Sequence, residues 1–294
     1  MYLTRFLRFL QYEKRYSELT LLAYKTDLEQ FKNYLETVYE ENELLVATEN
    51  QMRSWVVFMV NKKMKSKSIN RKISSLKSFY KFLTQQKLIK RNSASNLRNR
   101  KVEKRVPVFV EDKKMDFLLD DVDFGNDFAG VRNRLIISLL YNLGIRRAEL
   151  INLQKQDIDF HNNFIKIKGK GNKERLIPMS DKLKNEILAY EKLATEQFVS
   201  KEMTNLVLTD KGKKIYANFV YRTVQKCLNL VTTQQKRSPH IVRHSFATAL
   251  LNKGCDLNII KELLGHSSLA STQVYTHTNI EKMKTIYQQA HPKA

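Results

Sequence analysis

From Ser17 onward, Leu21, Ala23, Tyr24, Leu28, Phe31 and Leu35 recur at three- and four-residue intervals, a helical stripe that Ser17 is placed to cap. Thr48 and Gln51 have capping-box spacing ahead of Trp55, Val56, Phe58 and Met59. Ser66 or Ser68 opens a third run through Ile69, Ile73, Leu76, Phe79, Tyr80 and Phe82. These stripes predict a helical bundle over residues 1–95. Between Ser93 and Phe109 the periodicity stops and Pro107 intervenes, which predicts a linker at 96–105. A second domain, 106–294, opens with RLIISLLYNLGIRRAEL, where Gly144 can end one helix and admit the next. FIKIKGKGNKERLIPM then alternates, turns and resumes, as a β-hairpin does, with Gly169 and Gly171 supplying positive φ at the turn. Leu206–Leu208 is read as a third strand. From Asn218 the pattern is helical again, with Pro239 at a first helical position and Gly254 and Gly265 as stops. The expected fold is mainly α: an N-terminal helical bundle plus an α-rich domain with a small antiparallel β-sheet.

Composition narrows the function. Lys and Arg total 52 against 30 Asp and Glu, a formal charge of +22. Such an imbalance costs self-repulsion and attracts polyanions. The excess covers both halves and is densest around the linker, which carries Arg105. The third helix sets Lys67, Arg71, Lys72, Lys77 and Lys81 beside its apolar stripe. Most basic helix faces only solvate a fold; here two basic domains flank a basic linker, and a face that tracks nucleic-acid phosphates is expected. No apolar run approaches the roughly 18 residues of a membrane span. The start, MYLTRFLRFLQYEKR, is broken by Arg5 and Arg8 and shows no cleavage site for a signal peptide. Cys227 and Cys255 cannot build a disulfide framework. A cytoplasmic protein without membrane contact is expected.

Several short motifs carry chemistry. In SPHIVRHSF, Ser238 is placed to cap a helix from which His240 and Arg243 project on one face, three residues apart. Imidazole and guanidinium together suit a phosphate oxygen that is gaining charge. His240 and His244 have metal-type spacing, but Ile241 stands where a zincin needs Glu, so no metal site is expected. KGKGNKER lacks the second half of a Walker loop and has a strand rather than a helix after it, so no nucleotide cofactor is expected either. Lys170 at the hairpin tip could reach into a groove and donate a proton. Tyr275, nine residues after His266, would be a poor nucleophile at its ordinary pKa unless cations such as Arg146, Arg243 and Lys170 stabilised its phenolate.

In order, LGIRRAEL, KGKGNKERLIP, HIVR, LGHSS and VYTH resemble the motif set of the tyrosine recombinases, most closely the Xer-type chromosome-dimer resolvases. The likeness runs along the whole chain. It implies that residues 1–95 form a SAM-like core-binding domain and 106–294 the catalytic domain with a C-terminal tail helix. It also implies Arg146 and Arg243 as phosphate-clamping arginines, Lys170 as the hairpin lysine, His240 and His266 as site histidines, and Tyr275 as nucleophile. The first motif departs from the family's usual TGLRISEL at Leu143, Arg147 and Ala148; Arg146 keeps the two-residue offset after Gly144. The implied activity is site-specific cleavage and rejoining of DNA through a 3′-phosphotyrosyl link, without metal or ATP. The implied partners are double-stranded DNA bearing a recombination site, three further subunits in a homo- or hetero-tetramer, and a second recombinase or a septal DNA translocase. The tail residues Ile280, Met283, Ile286 and Tyr287 would pack on a neighbouring subunit. The alternatives are a mobile-element integrase, a type IB topoisomerase-like enzyme and a catalytically silent DNA-binding protein. At 294 residues, no additional N-terminal arm-binding domain is expected.

Overall fold

Side-chain caps start two of the helices in the first half. The opening helix α1 (Tyr2–Arg8) continues into a π-helical turn, Phe9–Glu13, and buries Phe6 and Leu10. Ser17 accepts the Thr20 N–H at 3.4 Å and starts α2 (Glu18–Tyr39). At α3 (Glu49–Asn61) the capping box is complete. The Gln51 N–H donates to Thr48 Oγ1 at 3.3 Å and the Thr48 N–H to Gln51 Oε1 at 2.7 Å. The helix α4 (Ser66–Gln85) follows Lys65. It buries Ile69, Ile73, Leu76, Phe79 and Phe82 against the stripes of α2 and α3, with Phe31 on Trp55 at a ring separation of 5.0 Å.

The computed structural model describes residues 1–102, 108–169, 171, 173–198 and 203–265. It divides into two units, Met1–Arg105 and Val106–Ala294. The first part of the segment expected as linker is tied to the first unit. Leu97 is buried in that core, and the Asn70 side chain brackets the Arg100 backbone through two hydrogen bonds of 2.8 and 2.9 Å.

The second unit is built round one helix. After α5 (Asp112–Asp120), Asp127 caps α6 (Phe128–Leu143) by accepting the Gly130 N–H at 2.9 Å. Every residue from Leu135 to Leu143 is buried, because α6 is apolar on all sides and other helices surround it. Next come α7 (Arg147–Asn152), β1 (Ile158–Asp159), β2 (Phe164–Lys168), β3 (Glu174–Pro178), α8 (Asp181–Gln197), α9 (Ala217–Asn229), α10 (Pro239–Asn252) and α11 (Leu257–Leu264). Of these, α8, α9 and α10 pack directly on α6. The sheet is antiparallel in the order β1-β2-β3, with Ile165 opposite Ile177 and Ile167 opposite Arg175.

Three local expectations need correction. The third strand is β1, not Leu206–Leu208. The N–H groups of Leu206 and Leu208 donate to Leu153 O and Tyr190 Oη, each at 2.9 Å, and the stretch makes isolated bridges, Asn205 opposite Gln154 and Leu208 opposite Lys214, rather than a strand of the sheet. Of the two turn glycines, Gly171 has positive φ (75°) and Gly169 does not; Gly169 donates its N–H to Lys173 O at 2.8 Å. Ser238 occupies the N-cap of α10, ahead of Pro239, but its side chain makes no cap bond. Among the described residues no helix is long and apolar enough to cross a membrane. Cys227 and Cys255 are buried free thiols, and burial pushes Cys227 up to about 12.

Candidate active site

The site grows from the end of α6. Gly144 there adopts φ 56°, and a Cβ on it would lie 2.2 Å from the Phe246 ring, so only glycine fits the turn. This turn sets Arg146 at the N-cap of α7. One turn into α7, the Glu149 carboxylate reaches back to accept the Arg146 N–H at 2.9 Å and its Nη1 at 2.8 Å. The other end of the Arg146 guanidinium donates to Gly265 O at 2.9 Å, and the side chain remains about one-third exposed.

Arg243 approaches from α10 and is more deeply set. Its Nη1 donates to Gly144 O and its Nη2 to Leu264 O, both at 2.6 Å, while Nη1 lies 4.0 Å from Glu149 Oε2. Burial first, and then the nearby Arg146 charge, pull its pKa down to about 10. It remains a cation at neutral pH, in a setting that would welcome an anion. A guanidinium has five donors, so Arg146 and Arg243 each keep donors beyond the two side-chain bonds made to described residues. His240 lies one turn earlier on α10, exposed, on the same face as Arg243.

Beneath these arginines lies a pair that the sequence motifs did not single out. Arg175 is buried on β3 and grips Glu149 with both ends of its guanidinium, at 2.8 and 3.2 Å, while its Nε donates to Leu263 O at 2.8 Å. Burial alone would raise the Glu149 pKa. The bonds and charge from Arg175, joined by the bonds from Arg146, outweigh it and hold the carboxyl below its ordinary value. One carboxylate among three guanidiniums leaves net positive charge. Two signals could have found this pair. Glu149 has capping spacing from Arg146, and Arg175 is a charge at an inward-facing strand position, sharing its sheet face with Ile165, Ile167 and Ile177.

The remaining expected site residues fall as follows. Lys170, His266, Tyr275 and Arg105 lie outside the described residues, as does the tail with Ile280, Met283, Ile286 and Tyr287. Lys67 is exposed and Lys77 half-buried on α4. Arg71 is half-exposed but bonded to Asp27 at 2.5 Å. Lys72 corrects the expected phosphate-facing stripe. It is 3% exposed, with its Nζ 2.8 Å from the buried Asp27, bonded also to Gln30 and set over the Trp55 ring. A helix face wide enough to cover both α2 and α3 takes in position 72, and the aspartate on α2 makes a lysine tolerable there. Among the described residues no group of His, Cys, Asp or Glu is arranged to hold a metal ion.

The family model for the Phage integrase family matches residues 109–282, and that for its N-terminal SAM-like domain matches residues 3–87. Tyrosine recombinase XerC of Pediococcus pentosaceus is 36% identical over 292 residues, covering 98% of this chain and 97% of that one. The XerC of Anoxybacillus flavithermus is 36% identical over 297 residues, covering 99% and 98% respectively. Among solved structures, the XerH site-specific recombinase in its post-cleavage complex with a palindromic difH substrate superimposes with a TM-score of 0.70. That match is 22% identical, covers 91% of this chain and 78% of that one, and speaks to the fold.

Proposed function

Because the chain belongs to the phage integrase family of tyrosine recombinases, a family of site-specific recombinase enzymes, we propose that it is an Xer-type recombinase resolving chromosome dimers. The full-length likeness to XerC proteins favours this reading over a mobile-element integrase or a topoisomerase. The observation that carries the chemistry is the convergence of Arg146 and Arg243 around Glu149.

In this reading Tyr275 attacks the scissile phosphate. Its oxygen bonds to phosphorus, the bond to the 5′ oxygen breaks, and a 3′-phosphotyrosyl link and a free 5′-hydroxyl result. The transition state places extra negative charge on the nonbridging oxygens. Arg146 and Arg243 supply fixed positive charge there, already held by protein carbonyls, so little reorganisation is needed during the reaction. Lys170 protonates the leaving 5′ oxygen, His240 assists deprotonation of Tyr275, and His266 hydrogen-bonds the phosphate. The phosphotyrosyl bond conserves the energy of the broken linkage, so the 5′-hydroxyl of a partner strand can reseal it without ATP or a metal.

Residues 1–95 serve as the core-binding domain and Arg105 lies in the linker that follows the DNA backbone. Exchange between two duplexes needs four such sites, hence a homo- or hetero-tetramer on DNA, with a second recombinase or a septal DNA translocase as candidate partner. The tail helix packs on a neighbouring subunit, and the protein works in the cytoplasm.

A suicide substrate nicked near the cleavage point tests the reading. Wild-type protein is expected to form a covalent adduct that survives denaturing electrophoresis and is unaffected by EDTA. The Tyr275→Phe variant should bind the same DNA and form none. An adduct with the Phe variant would overturn the assignment of the nucleophile.

A further inference from the structure

The buried Arg175 has no part in the mechanism as described, yet it bonds to both α7 and α11, two of the elements that hold the arginine pair. It starts from β3, one strand of the hairpin whose turn holds Lys170 in the sequence. It takes both oxygens of Glu149, the same carboxylate that holds Arg146 and lies 4.0 Å from Arg243. Its Nε holds Leu263 O, next to the Leu264 and Gly265 carbonyls that Arg243 and Arg146 use. Gly265 itself is left-handed at φ 62°, and a Cβ there would come within 3.0 Å of the Arg175 guanidinium, so glycine lets the chain close over it.

We propose that Arg175 is a positioning residue for strand cleavage: it occupies the Glu149 carboxylate so that Arg146 and Arg243 keep their guanidinium donors aimed at the scissile phosphate. This rests on the recombinase reading of the site.

The arginines compete for one carboxylate. A buried carboxylate attracts whichever cations are nearest, and in a low-dielectric setting that attraction is strong. Without Arg175, Glu149 would have Arg146 as its one close cationic partner among the described residues, and Arg243 would need to move little to become the second. Both would then give the carboxylate donors that the transition state requires. With Arg175 in place, the two-pronged fork answers both oxygens, and its third bond fixes the α11 end against which Arg146 and Arg243 are braced. The residue acts through Glu149 and the α11 carbonyls, not by touching DNA.

The test is a double-mutant cycle on the full-length protein, read by single-turnover adduct formation on the nicked substrate and by DNA affinity. Arg175→Met should slow cleavage about 10²-fold, the scale of a small misplacement of catalytic groups. Affinity should change no more than about threefold, since the loss lies mainly in the transition state. In a Glu149→Gln background no buried carboxylate competes, and the same Arg175→Met change should then cost less than about threefold in rate.

Thermal unfolding is followed for every variant. Should Arg175→Met alone fail to fold, the comparison of Glu149→Gln with Glu149→Gln/Arg175→Met, which leaves neither charge buried, carries the test by itself. An equal rate loss in both backgrounds would overturn the proposal, as would wild-type cleavage by folded Arg175→Met. A hundredfold loss on adding Arg175→Met to Glu149→Gln would overturn it as well. Failure of the wild-type protein to form any adduct would instead count against the recombinase reading.

Discussion

Asp27 in the first unit and Glu149 in the second are each buried among several cations, and the two arrangements do different things. In the first unit Asp27 binds Lys72 at 2.8 Å, Arg71 at 2.5 Å and the Ser75 hydroxyl at 2.8 Å, joining α2 to α4. Lys72 is enclosed, with Trp55 over it, and its donors are directed inward. In the second unit Glu149 collects Arg146, Arg175 and more distantly Arg243, and these arginines are also fastened to the carbonyls of Gly144, Leu263, Leu264 and Gly265. Arg146 and Arg243 keep spare donors and one of them is partly exposed. Where the cation is used up by its carboxylate, the cluster joins helices. Where the cations are also braced by backbone carbonyls, as around Glu149, their remaining donors are held in place and the cluster can take up another anion.

The sharpest way to break this comparison is to remove a cation from each cluster. Arg146→Ala and Arg243→Ala are each expected to slow cleavage about 10²–10³-fold, as loss of a preorganised donor does, with far smaller changes in affinity. Matching losses of affinity and rate would make these arginines ordinary phosphate anchors. Lys72→Met, by contrast, is expected to leave the chemical step intact and to cost about 3 kcal/mol of stability in urea unfolding, by depriving Asp27 of its buried partner. The slope of log affinity against log salt should not change, whereas Lys67→Ala, on the exposed face, should reduce it by about 0.9 if that lysine meets a phosphate. A shallower slope for Lys72→Met would return that residue to the DNA-facing set.

A smaller effect distinguishes the carboxylates by pH. Glu149 in the folded chain lies below its ordinary value of 4.5. Its ionised form therefore contributes stability that is complete above the unfolded pKa and is lost as pH falls through the lower folded value. The stability difference between wild type and Glu149→Gln should hold steady from neutral pH to about pH 5 and narrow in more acid solution. A difference that stays constant into the acid range would show that the carboxylate charge is not what the three arginines hold.

The comparison also shows what was legible in the sequence. The caps at Ser17 and Thr48, the stop at Gly144 and the alternation of β2 are signals within a few residues, and each element formed where its signal stood. Arg146, His240 and Arg243 could be picked out because motifs are local too. Lys72 could not be separated from its neighbours on a basic helix, because the aspartate that buries it lies 45 residues earlier. Arg175 showed itself only as a charge at an inward-facing strand position, since its partners Glu149 and Leu263 lie 26 and 88 residues away. The two-residue strand β1 is too short to show alternation, and it displaced Leu206–Leu208 as third strand by pairing with β2.

In the proposed reaction the cations held around Glu149 serve a tyrosine attacking phosphate. Trapping the wild-type adduct on nicked DNA, digesting it with trypsin and sequencing the DNA-linked peptide by mass spectrometry tests it most directly. The expected product is a peptide running from Glu262 to Lys282, with the nucleotide on Tyr275, its one tyrosine. Attachment to another residue, such as Tyr287 in the tail, would contradict it.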